Sequence, residues 1–239
     1  MLSEKEKIRY NRHIILPQIG IDGQIKLKNA KVVVIGAGGL GSPVLQYLAA
    51  AGVGLIGIVD NDIVDESNLQ RQILYTTNDI GKPKVEVAKR NLTALNPNVE
   101  IKIYKTFLTS ENAEDIISKY DIVVDCPDNY ETRLITSKAC VKLGKPHVFG
   151  AISKFEGQLS VFNYNKGPTY QELFPDVPEQ SLIDNDASAK GVIGVLPGVI
   201  GSLQANETIK IITGAGEILS GKLFIINLLN LYTNIINIE

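Results

Sequence analysis

The stretch Lys31-Val-Val-Val-Ile35-Gly36-Ala37-Gly38-Gly39-Leu40-Gly41-Ser42-Pro43 decides how this chain is read. Lys31 to Ile35 is a short β-branched run, and such a run stopped by glycine suits a strand buried on both faces of a parallel sheet. Ser42 and Pro43 are N-terminal helix signals, and Val44 to Ala51 supplies an apolar helix ending near Gly52. The glycines between strand and helix fit G-x-G-x-x-G in the setting that pattern requires. Gly36, Gly38, Gly39 and Gly41 permit a tight turn and let the backbone approach a phosphate. The start of the helix adds free N–H groups and the positive end of its dipole. Leu55 to Val59 is the next strand, and Asp60 stops it about 20 residues beyond the glycines, where a carboxylate can accept hydrogen bonds from ribose hydroxyls. A glycine turn that merely packs helix on strand is the plainer alternative. The strand–turn–helix–strand–Asp context favours a nucleotide, without saying which one.

Outward from this unit the alternation continues. Pro83 to Leu95 has helical spacing, Val99 to Tyr104 alternates like a strand, and Ser110 to Tyr120 reads as a helix. Ile122 to Asp125 is a strand, Glu131 to Leu143 a helix, and His147 to Ala151 a strand. Strands alternating with helices predict a Rossmann-like, doubly wound α/β sheet, parallel in the N-terminal part. After Gly150 the pattern changes. Gly157 to Tyr164, Lys222 to Leu228 and Leu231 to Ile238 read as strands with one long helix, roughly Val199 to Thr213, among them. Strands without crossover helices predict antiparallel additions by the C-terminal part. The expected organisation is one domain over residues 1–239: a helical segment 1–30, a nucleotide-binding part 31–151 and an antiparallel part 152–239 carrying a mobile polar loop, 165–191.

Bulk properties narrow the function. The chain has 239 residues, 44% hydrophobic and 21% charged, with a formal net charge of −2. That is enough for a substantial core, and the absence of a basic excess gives nucleic-acid binding no electrostatic support. No apolar run reaches the length of a membrane span, and MLSEKEKIRYNRH lacks the apolar core of a signal peptide. Only two cysteines, Cys126 and Cys140, occur, so a reducing, cytoplasmic compartment is expected and a four-cysteine zinc site within one chain is excluded.

A dinucleotide oxidoreductase needs a hydride site and an acid/base, but the two histidines stand poorly placed. His13 lies in the N-terminal helical segment and His147 opens a buried strand. The chain instead offers groups suited to a polyphosphate. Asp60-Asn61-Asp62 leads into Ser67-Asn68-Leu69-Gln70-Arg71-Gln72. Gly81-Lys82-Pro83-Lys84 and Asp125-Cys126-Pro127-Asp128-Asn129 follow. In a doubly wound sheet the loops after the first, second and fourth strands share the carboxyl edge, so Arg71, Lys84 and Asp128 can converge on one triphosphate. Singly, Arg71 and Lys84 read equally well as solvated charges and Asp128-Asn129 as a helix cap. Jointly, beside a phosphate turn, the binding role is favoured.

GAGGLGS, the aspartate-ended second strand, SNLQRQ, GKPK and DCPDN, in this order and spacing, resemble the MoeB/ThiF/HesA family, prokaryotic relatives of ubiquitin-activating enzymes. GVLPGVIGSLQANETIK (194–210) and RYNRH (9–13) resemble two further family segments, so the likeness covers nearly the whole chain. It implies an adenylyltransferase that transfers AMP from ATP to a carboxylate and releases pyrophosphate. The implied substrate is the C-terminal Gly-Gly tail of a ubiquitin-like sulfur carrier protein serving thiamine or molybdopterin biosynthesis. A peptide or RNA-linked carboxylate is the alternative within the same chemistry. An NAD-dependent oxidoreductase and a non-catalytic nucleotide-binding scaffold are the alternatives outside it. By resemblance Gly36, Gly38, Gly39 and Gly41 hold ATP, with Asp60 on the ribose and Asp62 in the loop beyond. Asn68, Arg71 and Gln72 face the phosphates, Lys84 contacts them, and Asp128 is associated with magnesium (Mg2+). Arg12 matches an arginine supplied across a homodimer interface to the partner's ATP.

The chain departs from the family pattern in two ways. Many relatives carry two CxxC pairs for a structural zinc, but the regions here read YQELFP (170–175) and NIINIE (234–239). No structural zinc is expected, and packing of Phe224, Ile226, Leu228, Leu231 and Ile235 is expected to hold the last strands. Some relatives also carry a crossover-loop cysteine, where this chain has Ala187. Sulfur is therefore expected from a separate donor protein. Cys126 is expected to resist ionisation because of nearby anions such as Asp128.

Overall fold

The computed structural model describes residues 1–175 and 191–238. Three short helices, α1 (Glu4–Arg9), α2 (Asn11–Ile14) and α3 (Gly20–Asn29), precede the first strand. The Rossmann-like part follows: β1 (Lys31–Ile35), α4 (Gly41–Ala51), β2 (Leu55–Val59), α5 (Lys84–Leu95), β3 (Glu100–Tyr104), α6 (Ala113–Ile117), β4 (Ile122–Asp125), α7 (Tyr130–Leu143) and β5 (His147–Ser153). Then come β6 (Glu156–Phe162), α8 (Tyr170–Leu173), α9 (Val195–Thr213), β7 (Lys222–Asn227) and β8 (Tyr232–Asn237). All eight strands form one sheet in the order β3-β2-β1-β4-β5-β6-β7-β8. The pairs from β3 through β5 are parallel, and those from β5 to β8 antiparallel.

β1 shows why the apolar runs become central strands. Val32 and Val34 enter one core cluster with Val44, Leu45 and Leu48 of α4 and Leu196 and Ile200 of α9. Val33 and Ile35 enter the other, with Ile116 and Ile117 of α6 and Ala139 and Cys140 of α7. A strand covered on both faces has no position for a polar residue, and each buried Val or Ile contributes about 1.5–3 kcal/mol. The strand order reverses between β1 and β4, so the crevice at their carboxyl ends lies where ligands bind in such sheets.

Three readings need correction. The residues from Ser110 to Asn112 form a turn, because Asn112 accepts from the Thr109 N–H and donates to the Phe107 carbonyl, and the helix runs only from Ala113 to Ile117. The stretch 165–191 is not wholly loop: Thr169 and Glu172 form a capping box that starts α8, and Tyr170 is buried against Phe149 and Phe162. The rest of that stretch, 176–190 with Ala187, lies outside the described residues. Finally, Leu231 and Ile235 do not pack the C-terminal strands, being 77% and 53% exposed; every residue of the edge strand β8 is exposed. Its partner β7 is held instead through Leu223 and half-buried Phe224, Ile225 and Ile226.

Candidate functional site

A cleft of about 510 Å³ opens at the carboxyl ends of β1, β2, β4 and β5. Gly36, Gly38, Gly39, Asp60, Asp62, Arg71, Gln72, Lys84 and Asp128, all singled out in the sequence, line it. Gly41, Asn68 and Arg12 do not. Gly41 acts one step back, since a Cβ there would collide with the Gly36 carbonyl. Gly36 has φ 93°, and a Cβ there would collide with the Cys126 carbonyl, so both chemistry and backbone conformation require glycine. Asn68 sits at the end of a short 3-10 turn (Glu66–Asn68), its side-chain nitrogen 3.5 Å from Ser67 Oγ. Arg12 is exposed on α2.

The turn is braced from several sides. Tyr75 donates through its hydroxyl to the Ala37 carbonyl at 2.7 Å, and Ser42 Oγ donates to the Gly38 carbonyl at 2.8 Å. Asp60 Oδ2 accepts the Ala37 N–H and its Oδ1 accepts the Asp62 N–H, each at 2.8 Å. One carboxylate thus ties the glycine turn to the loop after β2. Burial pushes the Asp60 carboxyl above its ordinary value, against the pull of Lys84 and the two N–H donors. Burial also raises the Tyr75 phenol, with Asp60 and Asp62 adding to the effect, so it stays a donor.

Lys84 is 5% exposed, and its Nζ lies 2.9 Å from the exposed carboxylate of Asp62. Arg71 donates from Nη1 to the Ser67 carbonyl at 3.1 Å. Gln72 is buried beside the turn, and its Oε1 has no hydrogen-bond partner. A buried, unpaired amide oxygen is costly, and rotating the amide would present its NH2 there instead. Asp128 is exposed, and among the described residues its side chain is hydrogen-bonded only by the Asn129 side-chain N–H, at 3.4 Å.

The sequence reading missed Arg133, which also lines the cleft and is 8% exposed on α7. It missed fully buried Asp125 as well, which stands 3.5 Å from Arg133 and 3.6 Å from His147. A charged residue closing the apolar strand IVVD was the available signal, since a buried carboxylate needs a cation nearby. Both cysteines are buried. Burial, before the charge of Asp125, pushes both thiols up, so burial outranks the anions that the sequence suggested for Cys126.

Among the described residues no three His, Cys, Asp or Glu side chains gather as a metal cage, and no helix is long and apolar enough to cross a membrane. Magnesium is commonly bound through one or two carboxylates plus substrate phosphates. A lone accessible carboxylate such as Asp128, in the same cleft as a phosphate turn, fits that mode.

The model of the ThiF family matches residues 10–239. A probable molybdopterin-synthase adenylyltransferase from Porphyra purpurea is 52% identical over 219 residues, 92% of this chain and 57% of the relative. A sulfur carrier protein adenylyltransferase from Thermus thermophilus is 52% identical over 228 residues, 93% of this chain and 84% of the relative. Among solved structures, E. coli MccB crystallised with MccA-N7isoASN superposes with a TM-score of 0.86 at 26% identity, covering 96% of this chain and 72% of that one. E. coli MccB with ATP superposes with a TM-score of 0.84 at 27% identity, covering 100% of this chain and 74% of that one.

Proposed function

The chain belongs to the ThiF family, and from that premise we propose that it adenylates the C-terminal Gly-Gly carboxylate of a ubiquitin-like sulfur carrier protein. The relatives named as molybdopterin-synthase and sulfur carrier protein adenylyltransferases, at 52% identity, support the carrier as substrate. They favour molybdopterin over thiamine biosynthesis as its destination. One observation carries the reading: a glycine turn, a ribose-type carboxylate, two cations and an accessible aspartate meet in one cleft. The eight-stranded sheet running from β3 to β8 supports reading the whole chain as one adenylation domain.

In this reading the glycine turn and the N-terminus of α4 receive ATP, and Asp60, already held by two N–H groups, accepts from the ribose. Arg71, Lys84 and Gln72 face the phosphates, and Asn68, which does not line the cleft, would have to turn toward them from the 3-10 turn that precedes Arg71. Asp128 would hold magnesium, which would supply charge neutralisation at the phosphates. A carboxylate oxygen of the carrier attacks the α-phosphorus, the bond to the bridging oxygen of pyrophosphate breaks, and no proton moves. Arg71 and Lys84 offset the charge that accumulates on the leaving pyrophosphate. Arg12 faces outward on α2, as a residue contributed to a partner subunit's site would, and a homodimer follows from that role. A separate protein donates sulfur, because both cysteines of this chain are buried thiols. A cytoplasmic setting goes with this chemistry.

The test is carrier-dependent exchange of labelled pyrophosphate into ATP. Folded Arg71→Ala and Asp128→Ala variants are each expected to lose at least about 10²-fold, the usual cost of one transition-state contact. Near-normal exchange in either variant removes that residue from the mechanism. Tight binding of NAD in preference to ATP would return the oxidoreductase reading.

A further inference from the structure

We infer that Arg133, held in place by Asp125, is a positioning residue that locks together the two chain segments bounding the carboxylate end of the cleft, one of which carries Asp128. The inference rests on the adenylation reading for the role of that end, and on geometry for the lock itself. Arg133 donates from Nη2 to the Pro127 carbonyl at 3.0 Å and from Nη1 to the Gly150 carbonyl at 3.1 Å. Asp128 follows Pro127, while Ala151, Ile152 and Ser153, which follow Gly150, line the opposite wall. One planar guanidinium thus joins the loop after β4 to the middle of β5. Its central carbon lies 4.7 Å from the centre of the Phe149 ring, which fixes its plane.

Asp125 explains how this cation stays where it is. It ends β4 with no exposed surface, its Oδ2 lies 3.5 Å from Arg133 Nε and 3.6 Å from His147 Nε2, and neither oxygen has a hydrogen bond of normal geometry. His147 is itself buried, and neither ring nitrogen has a partner. A buried ion pair is weak as a stabilising device, because well-packed apolar residues usually serve as well or better. Here the loosely engaged carboxylate compensates a charge whose well-made hydrogen bonds all go to the two cleft walls. Lysine cannot replace this arrangement: a point charge on a flexible stem neither spans two carbonyls in one plane nor stacks on Phe149.

The experiment compares wild type with Arg133→Lys and the isosteric Asp125→Asn. Steady-state pyrophosphate exchange is measured, together with ATP binding and amide hydrogen exchange over residues 126–131 and 150–153. The expected result is a fall in kcat of roughly 10²-fold, the scale of a displacement of about 1 Å at a reacting centre, with KM for ATP within about twofold of wild type. Arg133 does not touch the glycine turn, Asp60 or Lys84, so a residue that only stabilised the fold would not produce that split. Both segments should exchange faster in the variants while β1 and β2 stay protected. If Arg133→Lys does not fold, Asp125→Asn carries the same expectations. Absence of exchange activity in wild type sinks the adenylation reading alone, and the hydrogen-exchange comparison still decides the lock. Unchanged protection of both segments, or kcat within threefold of wild type in a folded variant, overturns the inference.

Discussion

Tyr75→Phe removes one oxygen atom from beneath the phosphate-binding turn, and its consequences can be worked out from the structure. The hydroxyl donates to the Ala37 carbonyl at 2.7 Å, Tyr75 is 6% exposed and Ala37 is fully buried. No water can take the place of the lost donor without opening the turn, so the carbonyl is left unpaired at a cost of about 1–3 kcal/mol. For a protein of this size each kcal/mol moves Tm by about 2–4 °C, so a loss of about 2 kcal/mol lowers Tm by roughly 4–8 °C. Ala37 also donates its N–H to Asp60, so a carbonyl seeking a new partner disturbs the carboxylate proposed to meet the ribose. ATP binding should therefore weaken severalfold, with kcat at saturating ATP changing much less, because Arg71, Lys84 and Asp128 are untouched. Thermal denaturation followed by circular dichroism and calorimetric titration with ATP measure the two effects. A Tm within 1 °C of wild type together with unaltered ATP affinity would refute the claim that the hydroxyl braces the turn.

Further outcomes follow from other parts of the molecule. If Arg12 completes a partner's site, mixing inactive Arg12→Ala with inactive Asp128→Ala protein should restore some pyrophosphate exchange, because one site of the mixed dimer has both wild-type groups; full activity of a wild-type monomer contradicts this. The Cys126→Ser/Cys140→Ser double variant, once shown to fold, should retain carrier adenylation and accept sulfur from an added donor; loss of sulfur transfer with adenylation intact would return a thiol to the mechanism. Asp79 should shape the acid limb of stability. Its burial raises the pKa, but hydrogen bonds from Arg90 and Thr76 together outweigh that and hold it at about 2, below the ordinary aspartate value. A depressed carboxyl contributes stability that is present above the unfolded value and is lost as pH falls through the folded one. The contribution is at most about 2 kcal/mol, and smaller because Arg90 is half-exposed to screening solvent. Urea unfolding at pH 5 and pH 2 should show a shallower acid loss in Asp79→Asn; identical slopes would rule the pair out.

What the sequence disclosed follows from how local each determinant is. β1, β2 and β4 have the bounds that their apolar runs suggested, because a strand covered on both faces is built almost wholly of apolar residues, with Asp125 at the end of β4 as the buried exception. α9 was harder. It was expected from roughly Val199, but the helix begins at Val195 and takes in Pro197, since a proline in the first turn removes an N–H that has no helical partner anyway. The C-terminal edge misled in the other sense: Leu231 and Ile235 were expected to pack the last strands, yet β8 pairs with β7 at the edge of the sheet and leaves both exposed. The glycine turn and Asp60 were legible because one short segment contains the whole device. Arg133 was not, because a lone arginine within a helix reads as a surface charge until the fold sets it beside Asp125, a carbonyl of the loop after β4 and a carbonyl of β5.

The shortage of usable histidine is itself informative about the chemistry. His147 is sealed behind Phe162 and Tyr170, and His13 Nδ1 is 3.2 Å from Gln24, away from the cleft. Neither imidazole is therefore among the described residues that line the cleft. A carboxylate nucleophile needs none, because it is ionised before it arrives. Its difficulty is repulsion, since an anion must approach a polyanion. Two unit charges 4 Å apart interact by ~4 kcal/mol at an effective dielectric near 20. Cations held in advance can offset this without reorganising during the reaction. Lys84 is such a cation, buried and held by an exposed aspartate that solvent can take back when a phosphate arrives. Arg71 is another, tethered by one backbone carbonyl with its remaining donors uncommitted among the described residues. The cations and the accessible aspartate that line the cleft therefore suit the adenylyl transfer proposed above, and no histidine among the described residues lines it.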